Sequence, residues 1–393
     1  MSISKKIFII SSVLLASVLF FMGIYNVSFK EKTSAINTNI LAKETPAASN
    51  EEKSALEEIG EKIGFKNSEK IYPLSDEVII SPALFSEDDQ IAYYTRLNGS
   101  VYNVSLDGTG KKLVDNNNFS GLEKILWSSD NRKVLSRFNN NGKIQYSSYD
   151  YNAKKGFRLA DGIEYAIWGN AGDQIVYEYY DSKTKKRTIN AANYDGSNWK
   201  KIADISMSDA WIASVPQSSF VSFWNSPNSF NETSLSIINT VGGEARKIFS
   251  GRFGADYLWS PNGTKALVSS VDSKGGSKIS LAVINSNGGE FQNLNIPTFA
   301  SKCVWSKDNK TIYYALPTFS SGNYVLPNDY RNKKVTAKDV FWKMNITTGK
   351  SERIVETKDI NNIYDAANLF LSSSEDILFF VNQNDGKIYG ISM

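Results

Sequence analysis

One short pattern recurs along this 393-residue chain and restricts its fold more than any other feature. An aromatic residue is followed by a tight turn and then by a β-rich segment. The clearest copy is Trp259-Ser260-Pro261-Asn262-Gly263, running into Thr264–Val268. Pro261 presets its own φ, Asn262 accepts the bridge region and Gly263 supplies a positive φ, so the chain reverses between antiparallel strands. Further copies are anchored at Phe85, Trp127, Trp168, Trp305 and Phe370, and a degenerate one sits at Ala213 with Trp211 nearby. Successive anchors are 42, 41, 45, 46, 46 and 65 residues apart.

Each copy carries the same strand set. An apolar lead-in reaches the anchor, as in Glu123–Trp127 or Glu164–Trp168. Two β-rich segments follow, then a Gly-rich turn and a basic-apolar fourth strand such as Lys111–Val114, Lys200–Ala203, Arg246–Phe249 or Glu352–Val355. A four-stranded unit at a period near 40–45 residues is the signature of a propeller blade. The last copy ends at Met393 after its third strand, and Ser68–Pro73 reads like Ser351–Glu356. The expected fold is therefore an all-β, seven-bladed β-propeller over 70–393, closed by its amino-terminal strand. The weak copy around Ala213 leaves six or eight blades open. Pro73 cannot donate to a ladder, which suits an outermost strand.

The segment Trp259–Lys265 resembles the Trp-Ser-Pro-Asp-Gly repeats of TolB-like (PD40, WD40-like) β-propellers, and the resemblance extends loosely over residues 70–393. It implies a bacterial cell-envelope setting and a protein-binding platform. It transfers no catalytic residue, because the motif residues are structural. TolB itself carries six blades and a separate amino-terminal domain, and this chain departs from that plan.

The amino end reads as an address. Lys5 and Lys6 precede the apolar run Ile7–Tyr25, which as a helix reaches about 29 Å against roughly 30 Å of bilayer hydrocarbon. The charge placement favours residues 1–6 in the cytoplasm, 7–27 across the membrane as a retained signal anchor, and the rest outside; a cleaved signal peptide is the competing reading, although its apolar core is normally shorter. Residues 28–69 form a polar stalk with a short helix near 51–63, where Ser49 and Glu52 fit a capping box.

Composition removes several chemistries. The chain has no His, so His-dependent triads and His-ligated metals are excluded. Its one cysteine, Cys303, allows no internal disulfide and lies in an apolar run, the setting of a buried thiol. A net charge of +3 with no extended basic tract gives no footprint for nucleic acid.

Three features compete for the functional surface. The long spacing after Trp305 places an insertion between the second and third strands of the sixth blade, with Tyr324, Asp329, Tyr330 and Arg331 as candidate binding residues. The equivalent loop of the fourth blade, Trp224–Asn231, is aromatic and amide-rich, with Trp224 and Phe230 as candidates. Finally, Glu123, Glu164, Asp209 and Asp256 stand at the starts of innermost strands and are expected at the channel mouth. A ring of such oxygens suits a hard cation such as Ca²⁺, although no dedicated calcium loop is present and no resident cofactor is expected. No catalytic or metal-binding residue is assigned. These features favour a non-catalytic, membrane-tethered scaffold for a protein or envelope polymer. A cation-assisted hydrolase or lyase at the channel mouth is the alternative.

Overall fold

The computed structural model describes residues 69–85 and 89–393. The expected tail, anchor and stalk lie outside the described residues, Glu69 excepted. Among the described residues no helix is long and apolar enough to cross a membrane. The described residues all belong to one compact unit, Phe65–Met393.

The chain is a succession of antiparallel four-stranded meanders. After β1 (Ile71–Pro73), meander I comprises β2 (Ile79–Phe85), β3 (Gln90–Thr95), β4 (Val101–Ser105) and β5 (Lys112–Asp115). Meander II comprises β6 (Leu122–Trp127), β7 (Lys133–Asn140), β8 (Lys143–Asp150) and β9 (Lys155–Arg158). Meander III comprises β10 (Ile163–Trp168), β11 (Gln174–Asp181), β12 (Lys186–Asn193) and β13 (Lys200–Ile205). Meander IV begins with β14 (Ala210–Ser214), β15 (Phe220–Asn225) and β16 (Glu232–Asn239). Its fourth strand is the first half of β17 (Arg246–Trp259), whose second half opens meander V with β18 (Lys265–Val271), β19 (Ile279–Asn285) and β20 (Gln292–Ile296). Meander VI comprises β21 (Cys303–Trp305), β22 (Thr311–Phe319), β23 (Ala337–Asn345) and β24 (Ser351–Arg353). Meander VII comprises β25 (Ala366–Leu371), β26 (Ile377–Asn382) and β27 (Ile388–Ser392), and β1 adds its fourth strand.

All seven anchors fall in the last residues of the first strand of a meander, as their spacing predicts. Four tryptophans do more than fill space. The indole N–H donates across to the preceding meander, from Trp127 to the Ser81 carbonyl (2.9 Å), Trp168 to the Leu126 carbonyl (2.7 Å) and Trp305 to the Leu258 carbonyl (3.1 Å). Trp259 donates to Ser222 Oγ at 2.8 Å. A buried indole N–H needs such a partner, so each bond also orients the ring.

The core is divided among these junctions. One apolar cluster joins Val176 and Ile189 of meander III to Ile212 and Phe223 of IV, and another joins Leu267 of V to Trp305 and Ile312 of VI. A further cluster brings Ile79, Ile91 and Tyr93 of meander I against Phe379 and Ile388 of VII, so the succession closes on itself. The register Ile71↔Ile391, Tyr72↔Gly390, Pro73↔Tyr389 seals that closure. Gly390 is required there, since a Cβ would lie 2.7 Å from the Tyr72 ring. Gly263 answers a similar demand in the turn motif. It has φ +67°, and a Cβ would come within 2.2 Å of the Pro216 carbonyl oxygen in the preceding meander.

Two local expectations change. The sequence predicts Arg246–Phe249 as a separate fourth strand, but the chain runs on without a turn, and β17 fuses meanders IV and V into one seven-stranded sheet. Gly251 (φ +80°) and Gly254 (φ +59°) absorb the change of direction within it. In meander VI, part of the expected insertion is strand. β22 and β23 pair from Thr311↔Asn345 out to Phe319↔Ala337, leaving residues 320–336 beyond the hairpin.

Candidate functional site

The insertion does not merely cover its own meander. Its helical turn, Asn328–Arg331, reaches across to meander IV and meets the loop that follows β15. Asn328 Oδ1 accepts from the Ser229 N–H (2.9 Å) and the Ser229 hydroxyl (3.0 Å), while its Nδ2 donates to Asn228 Oδ1 at 3.0 Å. Arg331 donates to the Pro227 carbonyl and, at 3.0 Å, to Ser226 Oγ. Its guanidinium also lies 4.8 Å from the centre of the Trp211 ring, in cation–π range. Leu326 N donates to the Gly276 carbonyl of meander V at 3.1 Å.

The other side of the insertion is pinned to meander VII. Tyr330 stacks on Phe299 with ring centres 4.9 Å apart and planes 7° apart. Its hydroxyl donates to Asp365 Oδ1 (2.6 Å) and accepts from Gln383 Nε2 (2.6 Å). Burial, then the Asp365 charge, push the Tyr330 pKa far up, so this phenol stays protonated. Tyr324 tilts against Phe319 within the same apolar cluster. Asp329 turns back on its own segment. Its carboxylate accepts from Val325 N (2.8 Å) and pairs with Lys334 (3.1 Å), and these contacts lower its pKa. Arg331, its near neighbour, pairs with the loop of meander IV instead.

Between the helical turn and that loop lies an open cavity of about 310 Å³. Its lining is polar: Asp209 and Ser208, the amides Asn225, Asn228, Asn231, Asn328 and Asn332, the hydroxyls Ser226 and Thr233, and Arg331. Thus the two loops singled out separately in the sequence form one cleft, with Asp209 beside them. Phe230 stands exposed at 49% on the same loop. Trp224, expected at the binding surface, belongs to the core instead: it is 3% exposed and packs edge-on against Tyr257 and Trp211. Both faces of β15 are covered by neighbouring meanders, so the strand buries consecutive residues rather than alternate ones.

The four carboxylates expected as a channel-mouth ring are not gathered round a common centre. Glu123 pairs with Arg137 and accepts from Asn139 Nδ2 (2.7 Å). Glu164 shares Arg187 with the buried Glu178, whose pKa burial raises. Asp209 and Asp256 both lie in the field of Arg331. Asp256 is enclosed by protein although a small face stays accessible, and burial lifts its pKa to about 6 against the pull of the Tyr257 N–H and Arg331. Among the described residues no three His, Cys, Asp or Glu side chains come together as a metal cage. Glu123 instead lines a larger cavity of about 1150 Å³, with Lys124, Arg137, Gln383 and Lys333.

A buried cluster that the sequence did not single out lies beneath Tyr330. Lys302 Nζ is 2.6 Å from Asp339 Oδ2 and 2.8 Å from Asp365 Oδ1. The available signal was a lysine inside the apolar lead-in Phe299–Trp305, three residues before the anchor. Cys303, in the same lead-in, is buried as expected, and burial pushes its thiol pKa up.

No family model matches the sequence. No curated protein matches it either. Solved structures do match in fold. Oligogalacturonate lyase from Vibrio parahaemolyticus superposes with a TM-score of 0.59 at 11% identity, over 83% of this chain and 94% of that one. The β-propeller domain of the Trilobed protease from Pyrococcus furiosus gives 0.53 at 11% identity, over 79% and 92%. TolB from Acinetobacter baumannii gives 0.44 at 13% identity over 64% and 58%, too loose a fit to carry an argument. These identities speak to fold alone, and the fold is a β-propeller.

Proposed function

We propose that the chain is a non-catalytic binding scaffold: a seven-bladed propeller, tethered to the cell membrane through residues 7–27 with its amino terminus in the cytoplasm, that holds a protein or envelope polymer outside. The seven meanders and the closing contact of VII with I support the blade count. The observation that carries the binding role is the polar cleft shared by the insertion and the meander IV loop. The insertion is not a loose excursion. It is fixed on both sides by side-chain bonds, to meander IV through Asn328 and Arg331 and to meander VII through Tyr330. A prearranged surface of amides and hydroxyls with one guanidinium and one carboxylate binds a polar chain without large ordering cost.

The second reading, a cation-assisted hydrolase or lyase at the channel mouth, draws on the fold shared with oligogalacturonate lyase. Here Glu123 and Glu164, two of the carboxylates expected there, are each engaged by arginine, which leaves less negative charge for a cation.

Capture from envelope fractions with the full chain is the test. A partner retained by the wild type and lost with Arg331→Ala, at unchanged fold, supports the scaffold. Retention of the same partner by the variant sinks this site. A rise in thermal stability on adding Ca²⁺, reversed by EDTA, would favour the second reading.

A further inference from the structure

The proposed binding role uses the charged cluster beneath the insertion only through the Tyr330–Asp365 bond. Lys302, at the end of the 3-10 turn Ala300–Lys302, is 1% exposed; Asp339 on β23 and Asp365, just before β25, are 0% and 3% exposed. Lys302 Nζ touches both carboxylates and donates to the Ala366 carbonyl at 2.9 Å. The Tyr330 ring closes the site from above, its centre 5.2 Å from Nζ.

The two carboxylates are held differently. Asp365 is satisfied as an anion. Oδ1 accepts from Lys302, from Tyr330 and from Gln383 Nε2 (3.2 Å), and Oδ2 accepts from the Ala337 N–H (3.1 Å). Asp339 has Oδ2 on Lys302 and on the Ala366 N–H (2.6 Å), while its buried Oδ1 has no partner among the described residues. One ammonium against two carboxylates leaves a net negative charge out of reach of water, an arrangement that favours a proton on one acid. Burial raises the Asp339 pKa in the same sense. An amine and an un-ionised carboxyl are then in contact, with a second carboxylate on the amine.

We propose that Lys302 and Asp339 join in an intramolecular isopeptide bond, with Asp365 as proton carrier. Asp365 takes a proton from the Lys302 ammonium, and the freed amine attacks Cγ of Asp339. The oxygen held by the Ala366 N–H bears the charge of the tetrahedral stage and remains as the amide carbonyl. The Cγ–Oδ1 bond breaks as the Oδ1 hydroxyl takes the proton carried by Asp365 and leaves as water, and the second proton of the attacking nitrogen passes to Asp365, which ends un-ionised. An ammonium, a carboxylic acid and the Asp365 carboxylate thus become an amide, water and a protonated Asp365, with no oxidant or co-reactant. Fixed contact replaces the encounter that makes such a condensation slow in solution. The amide would tie β23, at the base of the insertion, to the lead-in of β21, a covalent staple in a chain whose single cysteine can form no internal disulfide.

The test is a tryptic digest of the denatured full chain read by tandem mass spectrometry. The expected result is a branched peptide joining the Lys302 and Asp339 segments, lighter by one water than the two together, with no cleavage after Lys302. Asp365→Asn keeps both reactants and is expected to slow formation of the joint by about 100-fold or more. Should that variant fail to fold, the wild-type digest still decides. Separate linear peptides, with cleavage after Lys302, overturn the proposal. A joint from Lys302 to Asp365 overturns the assignment of Asp339 as acyl donor.

Discussion

Removing the indole N–H of Trp168 while keeping an aromatic ring separates the two roles assigned to the anchors. Trp168 is 9% exposed and packs with Leu135, Ile163, Ile175 and Tyr177 at the junction of meanders II and III. Its N–H donates to the Leu126 carbonyl at 2.7 Å. Trp168→Phe leaves that carbonyl without its cross-meander donor, which costs about 1–3 kcal/mol. Trp168→Ala loses the ring as well and leaves a cavity, for about 3–5 kcal/mol in total. Urea unfolding of the described domain, followed by circular dichroism, measures both at a common slope. The reasoning requires two distinct steps, wild type to Phe and Phe to Ala. A Phe variant within about 0.5 kcal/mol of wild type would refute the bonding role. An Ala variant no worse than Phe would refute the wedge.

Asp256 predicts a pH dependence. Its folded pKa, about 6, lies above the ordinary value of 3.8, so its favourable contribution is complete below that value and lost as pH rises through about 6. Asp256→Asn is therefore expected to exceed wild type in stability by about 1–3 kcal/mol near pH 7.5 and to match it near pH 4, by urea titration at each pH. A constant difference at both pH values contradicts the assignment. Gly263→Ala places a methyl against the Pro216 carbonyl at positive φ and should cost about 2–4 kcal/mol in the same assay. A loss under about 0.5 kcal/mol would mean that the turn does not rest on meander IV.

The periodic part of the fold was legible because one physical demand repeats. Six of the seven first strands carry a large ring at or next to their last residue, Ala213 being the exception, so Trp127, Trp168, Trp259 and Trp305 mark the frame at once. The closing strand was readable because Ser68–Pro73 copies a fourth strand that meander VII lacks. What failed to show is what breaks the period. Nothing local distinguishes β17 from two strands, since its join depends on glycines adopting positive φ inside a ladder. The cleft depends on Asn328 meeting Ser229 and Arg331 meeting Ser226, partners about a hundred residues apart that no short pattern relates. Likewise Trp224 reads as a surface aromatic because its loop is polar, whereas the strand that carries it is covered on both faces. The insertion was found by its length, and its partners only by the structure.

The scaffold role is tested most directly by photo-cross-linking on intact cells that make the protein. A photoreactive residue is placed at Phe230 or Asn332, at the cleft, and for comparison at Val241, exposed at 71% in the turn between β16 and β17. The account predicts one cross-linked species from both cleft positions, absent from Val241 and lost when Arg331→Ala is added. Equal labelling from all three positions, or none from the cleft, would contradict it.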